Sequence, residues 1–343
     1  MAFCNRFALS TIAVIGATCV AWSGTALAQE IGTWGKEMTM YIGSTTGGGY
    51  DQYGRLLGRH MGRYLPGEPK FVPKNMPNQR QVVAHIYNIA AKDGSTIATT
   101  TRNTIFDPLY YTEDFKFEAL KLTWIGSLNS ETSLCVAWNT APVTSLDQLQ
   151  KTQSIYGSGG PISSDSLHAK LLNELASAKI KLVEGYPGST EVHLAMERGE
   201  VFGRCGLGWD SIKSRYKRWL DEKKITLVAQ FAIDKHPELP NVPFIMDLAK
   251  TEEHRQMANL MLGPNKMGRP VFGPPNIPAD RVKILQEAFA KAMTDTSTKA
   301  DADKMTIELD WMSGEAVQAM VKQLYATPRP VIDRMQKIMA TKS

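Results

Sequence analysis

The chain has 343 residues, a formal net charge of +5 and 43% hydrophobic residues. The mild positive balance contains no Lys/Arg block, which speaks against nucleic acid and modestly favours small anions. The first segment reads as an export signal. Arg6 supplies the basic start, "FALSTIAVIGATCVAW" the apolar stretch, and Ala26-Leu27-Ala28 a small-residue cleavage site. Cleavage after Ala28 would deliver a periplasmic protein, and the remaining chain suffices for one large domain or two medium ones. Cys4 and Cys19 would leave with the signal. Cys135 and Cys205 remain, and in an exported protein two cysteines can form one disulfide. Their strand-like apolar contexts instead favour two separate buried thiols.

In chain order, strand and helix patterns alternate. "MTMYIG" reads as a strand, and Tyr53, Leu56, Leu57, Met61 and Tyr64 then recur at helical spacing. "KFVPKNM" is extended. Val82, Val83, Ile86, Ile89 and Ala90 mark a helix stopped at Asp93-Gly94. "STIATTT", "LTWIGSL" and "SLCVAW" are strands, and Ser145 with Gln148 predicts a capping box opening "LDQLQK". "QSIYGSGG" is a strand and turn. Ser163, Ser164 and Asp165 are N-cap candidates for a helix carrying Leu167, Leu171 and Leu175 on one face. "IKLVEGY" is a strand, Ser189 or Thr190 caps the next helix, and "EVFGRCGLG" and "KITLVAQFA" are further strands. After "KHPELPNVP" the pattern is mostly helical, clearest in "PADRVKILQEAFAKAM" and "SGEAVQAMVKQLYATP". The alternation predicts an α/β protein with parallel sheets covered by helices, and ligands outside the C-terminal strand ends.

Three loops share an anion-cradle character: Thr45 to Asp51, Ser158 to Ser164, and Tyr186 to Thr190. Each follows a strand, opens a helix and offers Gly, Ser or Thr, so backbone N–H groups and hydroxyls can face an anion. Turn geometry alone also selects these residues. A Walker loop fails because Gly49 stands where Lys is needed, and a dinucleotide fingerprint fails because Gln52 stands at the third glycine. The sequence holds no G-x-S-x-G elbow, no H-E-x-x-H and no metal-ligand spacing. No catalytic residue, metal or cofactor is therefore expected.

These segments, taken together, resemble the extracytoplasmic solute receptors of tripartite tricarboxylate transporters, the Bug family. "TTGGGYDQYGR" stands for the family's "P-G-G-x-x-D-x-x-A-R" loop, with Asp51 and Arg55 in register. "NIAAKDGSTI", "APVTSLDQL", "GSGGPISSDS", "VEGYPGSTEVHLAMERGEVFG", "LPNVPF" and "GPPNIPADRV" follow in the family's order over essentially the whole mature chain. The chain departs from the pattern at Asn78, Gln79 and Arg80, in place of a glycine-rich turn, and at Ser166 and Pro187. Arg102 and Arg204 are unexpected.

The resemblance implies a two-domain, type II periplasmic-binding-protein fold with a hinge and a ligand cleft. Residues 29–134 plus 241–343 would form one domain and 135–240 the other. It implies a receptor that captures a small carboxylated compound. Thr45, Thr46, Gly48 and Tyr50 would contact it from the first domain, and Asp51 would cap its helix or orient a bound water or ligand amine. Ser158, Ser163, Ser164, Tyr186, Gly188, Ser189 and Thr190 would do so from the second. Arg102 and Arg204 are candidates for bidentate carboxylate binding, or for ion pairs within the protein. Trp209 is a candidate stacking surface, or core. Expected partners are a small organic acid and transporter membrane subunits, with a membrane sensor as the alternative, no nucleic acid, and the chain acting as a monomer. An exported enzyme on the same scaffold is the remaining rival.

Overall fold

The computed structural model describes residues 34–340 apart from 112, 114 and 162. The export-signal reading at residues 1–28 lies outside the described residues. Among those described, no helix is long and apolar enough to cross a membrane.

Two sheets carry the chain. The strands in order are β1 (Glu37–Ile42), β2 (Lys70–Asn75), β3 (Thr96–Thr99), β4 (Thr123–Ser127), β5 (Ser133–Trp138), β6 (Ser154–Ser158), β7 (Ile180–Glu184), β8 (Gly203–Gly208), β9 (Ile225–Phe231), β10 (Pro270–Gly273) and β11 (Met312–Ser313). The first sheet runs β11-β4-β10-β3-β1-β2 and the second β7-β6-β8-β5-β9. Leaving out the short edge strand β11, the two orders are the same. In each, the strand beside the last one is where the chain arrives from the other sheet: β5 in the second, β10 in the first.

Those arriving strands correct the expectation of parallel sheets. β1 pairs with β2 and β3 in parallel, as β6 does with β7 and β8. β10 runs antiparallel to β3 and β4, and β5 antiparallel to β8 and β9. A strand entering from a neighbouring sheet needs no crossover helix, so the parallel rule does not bind it. The four residues of β10 were hidden within a stretch read as helical.

Period-two burial explains why both sheets are covered on both faces. In the first, Ile97, Ile125 and Val271 pack with Leu56 and Leu57 of helix Gly49–Met61 and Leu285 and Phe289 of helix Ala279–Thr294. Their neighbours Ala98, Trp124 and Phe272 pack on the other face. There they meet Val82 and Ile86 of helix Gln79–Asn88, Phe106 of helix Arg102–Tyr110 and Val317 and Val321 of helix Gly314–Tyr325. The helix Arg102–Tyr110 was not legible in the sequence because Pro108 lies inside it. Packing of Ile105 and Phe106 overrides that weak local preference.

The second sheet alternates in the same way, with Cys135 and Ala137 toward helix Ser164–Ala176 and Leu134 and Val136 toward helix Ser189–Glu197. The capping box of Ser145 and Gln148 is present, and Ser163 caps its helix by accepting from the Ser166 N–H. The cap of the later helix is Gly188 rather than Ser189 or Thr190.

The two cysteines are also corrected. Cys135 and Cys205 form a disulfide across β5 and β8. The sequence put each on a strand but did not say that the strands are neighbours. The ladder takes an extra residue on β8 here, Gly206, at φ +73°. That conformation suits glycine, and it leaves the cysteines on one face. The bond closes a loop with a sequence separation of 70 residues. In the chain-entropy picture such a link restricts the unfolded state by several kcal/mol. Reduction, or the double variant Cys135→Ala with Cys205→Ala, is expected to lower unfolding free energy by about 2–4 kcal/mol in urea titrations.

Candidate functional site

The strand directions place the singled-out loops at corresponding ends. The loops after β1, β6, β7 and β8 leave C-terminal ends of strands that are parallel within each sheet. Such ends are where α/β proteins take ligands.

At the first loop, Asp51 is drawn inward. Its carboxylate accepts from the Gly47 N–H (2.8 Å), Arg55 Nε (2.8 Å) and Asn75 Nδ2 (2.8 Å). Burial pushes its pKa up, but these donors more than offset that and leave it below the usual carboxylate range. Asp51 is thus the internal tie of the loop, holding Gly47 at φ +82° while Thr45 and Thr46 remain exposed and Gly48 half-buried.

The next residues lead to a charged cluster. Tyr50 donates its hydroxyl to the Gly268 carbonyl (3.1 Å) and lies 3.4 Å from the Arg102 N–H. Arg102 Nη1 donates to Glu131 Oε2 (2.7 Å), and its Nε donates to Asn265 Oδ1 (3.0 Å). Arg269 Nη1 reaches the same Glu131 oxygen (3.3 Å) and the Gly268 carbonyl (2.8 Å). The Arg269 guanidinium lies over the rings of Tyr50 (4.5 Å) and Tyr53 (4.9 Å). One carboxylate therefore serves two guanidinium groups at contact distance, and the Asp210 carboxylate acts on Arg269 from further away. Burial alone would raise the Glu131 pKa; Arg102 and Arg269 instead push it down to about 2. Two donors here, Asn265 Nδ2 and Arg269 Nε, are buried without a hydrogen-bond partner among the described residues. Buried donors without partners are uncommon.

The second sheet meets this cluster through helix Ser164–Ala176. Arg102, Asn265, Ser164 and His168 line one cavity of about 90 Å³. His168 is buried and stacks on Phe231 (4.7 Å). Burial first, and then the nearby Arg102, push its pKa down to about 4, so it is neutral near pH 7. A larger cleft of about 590 Å³ opens beside the cluster and is lined by Glu131, Asn265, Trp209 and Asp210 among others.

Of the sequence-chosen residues, the fold gathers Tyr50, Arg102, Ser164 and Trp209 around this cluster. It does not bring Arg204 there. That guanidinium, 2% exposed, lies inside the second sheet's own packing, against Asp165 (3.1 Å) and His193 (2.8 Å). Ser158 and Ser163 bond to each other (3.1 Å), and Ser158 also meets Ser166 (2.5 Å). Tyr186 and Gly188 are half-buried, and Ser189 and Thr190 are exposed. At the departures from the family pattern, Asn78 caps its helix and Arg80 pairs with Asp107 (2.8 Å) and Glu113 (2.7 Å). Sequence reading missed Glu131, Asn265 and Arg269. The available signal was an arginine directly before the short apolar run "PVFG", and a lone acid between two apolar strands.

Glu131 makes the site acid-sensitive. Its folded pKa lies below the ordinary value near 4.3, so its stabilisation is present above that value and is lost as pH falls toward about 2. Glu131→Gln leaves two guanidinium groups facing each other without their anion. It is expected to cost about 3–5 kcal/mol at neutral pH, with the gap to the unaltered protein narrowing in acid, as read by urea unfolding across pH.

No family model and no curated protein matches this chain. Solved structures do. A TctC solute-binding protein from Polaromonas is similar at 17% identity and a TM-score of 0.69, covering 87% of this chain and 98% of that one. An R. palustris protein solved with adipate is 19% identical at a TM-score of 0.58, covering 88% and 95%. The periplasmic binding protein BugD is 16% identical at a TM-score of 0.60, covering 88% and 97%. This likeness, with the shared strand order of the two sheets, shows the fold: a two-domain α/β fold of the kind found in periplasmic solute-binding proteins.

Proposed function

We propose that this chain is a periplasmic receptor that captures a small carboxylated compound between its two lobes and delivers it to a tripartite tricarboxylate-type transporter. The lobes are 29–134 plus 241–343 and 135–240, each centred on one sheet, with the two passages between sheets acting as the hinge. Export would follow cleavage after Ala28. The protein would act as a monomer, with transporter membrane subunits as its partners.

The observation that carries this reading is the buried Arg102–Glu131–Arg269 cluster. It sets two guanidinium groups against one directly paired carboxylate and holds two donors without a hydrogen-bond partner among the described residues, at the junction of the sheets. Buried charge that is only partly compensated at contact distance is costly. A carboxylate would neutralise it and accept from Arg269 Nε and Asn265 Nδ2. Tyr50, at the start of the first helix, supports Arg269 through its ring. Closure of one lobe on the other, a hinge motion, would exclude water and strengthen the same ion pair. That a similarly folded protein was solved with adipate supports carboxylates as the ligand class.

A thermal-shift series of mono-, di- and tricarboxylates tests the reading, because a ligand bound only by the folded state raises its melting temperature. At a hundredfold excess over Kd the gain is about 2.7 kcal/mol. Arg269→Lys keeps the charge but loses the planar fork, and is expected to weaken carboxylate binding about tenfold. Arg269→Ala is expected to weaken it a hundredfold or more, on the order of 3 kcal/mol. Melting temperatures unmoved by every carboxylate, or unchanged affinity in both variants, would sink the proposal.

A further inference from the structure

We infer that the ligand is a monocarboxylate with a short alkyl body, its carboxylate held between Arg102 and His168 and its body lodged in the apolar cavity behind them. The inference rests on the receptor reading and adds what the rest of the ligand must be.

The cavity of about 90 Å³ lies where four helices meet. Phe106 comes from helix Arg102–Tyr110 and Leu167 from helix Ser164–Ala176. Leu260 and Met261 come from helix Glu252–Leu262, and Met335 and Met339 from helix Arg329–Ala340. That last helix is tied to helix Ser164–Ala176 across the cavity: Lys170 Nζ donates to the Met339 carbonyl (3.2 Å), and Arg334 Nη2 to Glu174 Oε1 (2.5 Å). The walls are thus positioned by bonds of their own, and the methionines let them adapt to the shape of an apolar group.

Two nearly buried side chains form the polar end, one from each side of the junction between the sheets. Arg102 is 9% exposed and His168 4%, and both line this cavity but not the larger cleft. Arg102 Nε and Nη1 are engaged by Asn265 and Glu131, whereas Nη2 has no hydrogen-bond partner among the described residues and is accessible. The His168 Nδ1 is sealed off without a partner among them, so Nε2 is the ring nitrogen that can meet a ligand. A carboxylate offers one oxygen to each: a charge-assisted bond from the guanidinium and a neutral one from the imidazole N–H. Arg102 and Ser164 each open a helix, so two positive helix ends flank the same place.

The rest of the lining rejects a second charge. The Asp107 carboxylate lines the cavity and is engaged by Arg80 (2.8 Å). Among the described residues that line it, Arg102 is the only lysine or arginine. A second carboxylate on the ligand would be desolvated among methionine, leucine and phenylalanine side chains with no cation to meet it, which discriminates strongly against diacids. The volume is below the roughly 150 Å³ that takes a benzene ring, which points to a short alkyl chain.

The test is calorimetric titration of the full exported protein with acetate, propanoate, butanoate, pentanoate and hexanoate, each from propanoate on matched to the diacid of equal carbon number. Affinity is expected to rise about fourfold per added methylene until the cavity is full. The best alkanoate is expected to bind at least about tenfold more tightly than its matched diacid. Leu167→Phe, which fills part of the cavity, is expected to weaken that alkanoate about tenfold or more and to leave acetate unchanged. If diacids bind as tightly as the alkanoates, or if Leu167→Phe leaves the best alkanoate untouched, the inference is overturned while the receptor reading stands. If no carboxylate of any kind binds, both fail together. The comparison on unaltered protein decides the matter even where the variant does not fold.

Discussion

A single buried carboxylate, Glu131, joins three parts of the chain that are far apart in sequence. It lies in the passage from the first sheet to the second. Arg102 comes from the end of β3, and Arg269 from the return passage just before β10. Desolvating three charges is expensive, and one carboxylate cannot cancel two guanidinium groups. The arrangement therefore ties the two passages between the sheets together at one point.

The rest of the architecture serves this point. The matching strand orders place the arriving strand β5 second from one edge of its sheet, and β10 likewise once the short edge strand β11 is left out. The crossings consequently fall beside the C-terminal ends of β3, β4 and β9, and the charged residues collect there. Asp51 holds the first glycine loop from within, so the helix bearing Tyr50 and Tyr53 starts at a defined place and its rings support Arg269. In the second sheet, Gly206 occupies the left-handed region, and a side chain there would press against the start of helix Ser164–Ala176. Arg204, two residues earlier, pairs with Asp165 of that helix, so this arginine is used within the second sheet's own packing.

Much of the fold was legible because its signals are local. Alternation in "MTMYI" and "SLCVAW", helical spacing in "PADRVKILQEAFAKAM", and the Ser145–Gln148 capping box each depend only on near neighbours. The misses share a different character. Helix Arg102–Tyr110 contains a proline and is held by Phe106 in a distant core. Strand β10 is four residues long and owes its conformation to the pairing of Val271 and Phe272 with strands on both sides.

The site divides in the same way. The strand–helix loops, the glycine run and the order of segments that resembles solute receptors are legible in the sequence alone. These follow from short-range patterns of polarity and turn chemistry. Only the tertiary structure decided that Arg102 shares Glu131 with Arg269 and that Arg204 is spent on Asp165 and His193. It also decided that Cys135 faces Cys205. Those outcomes depend on which strands become neighbours. Charge pairing acts through space over a few ångströms, whatever the separation along the chain.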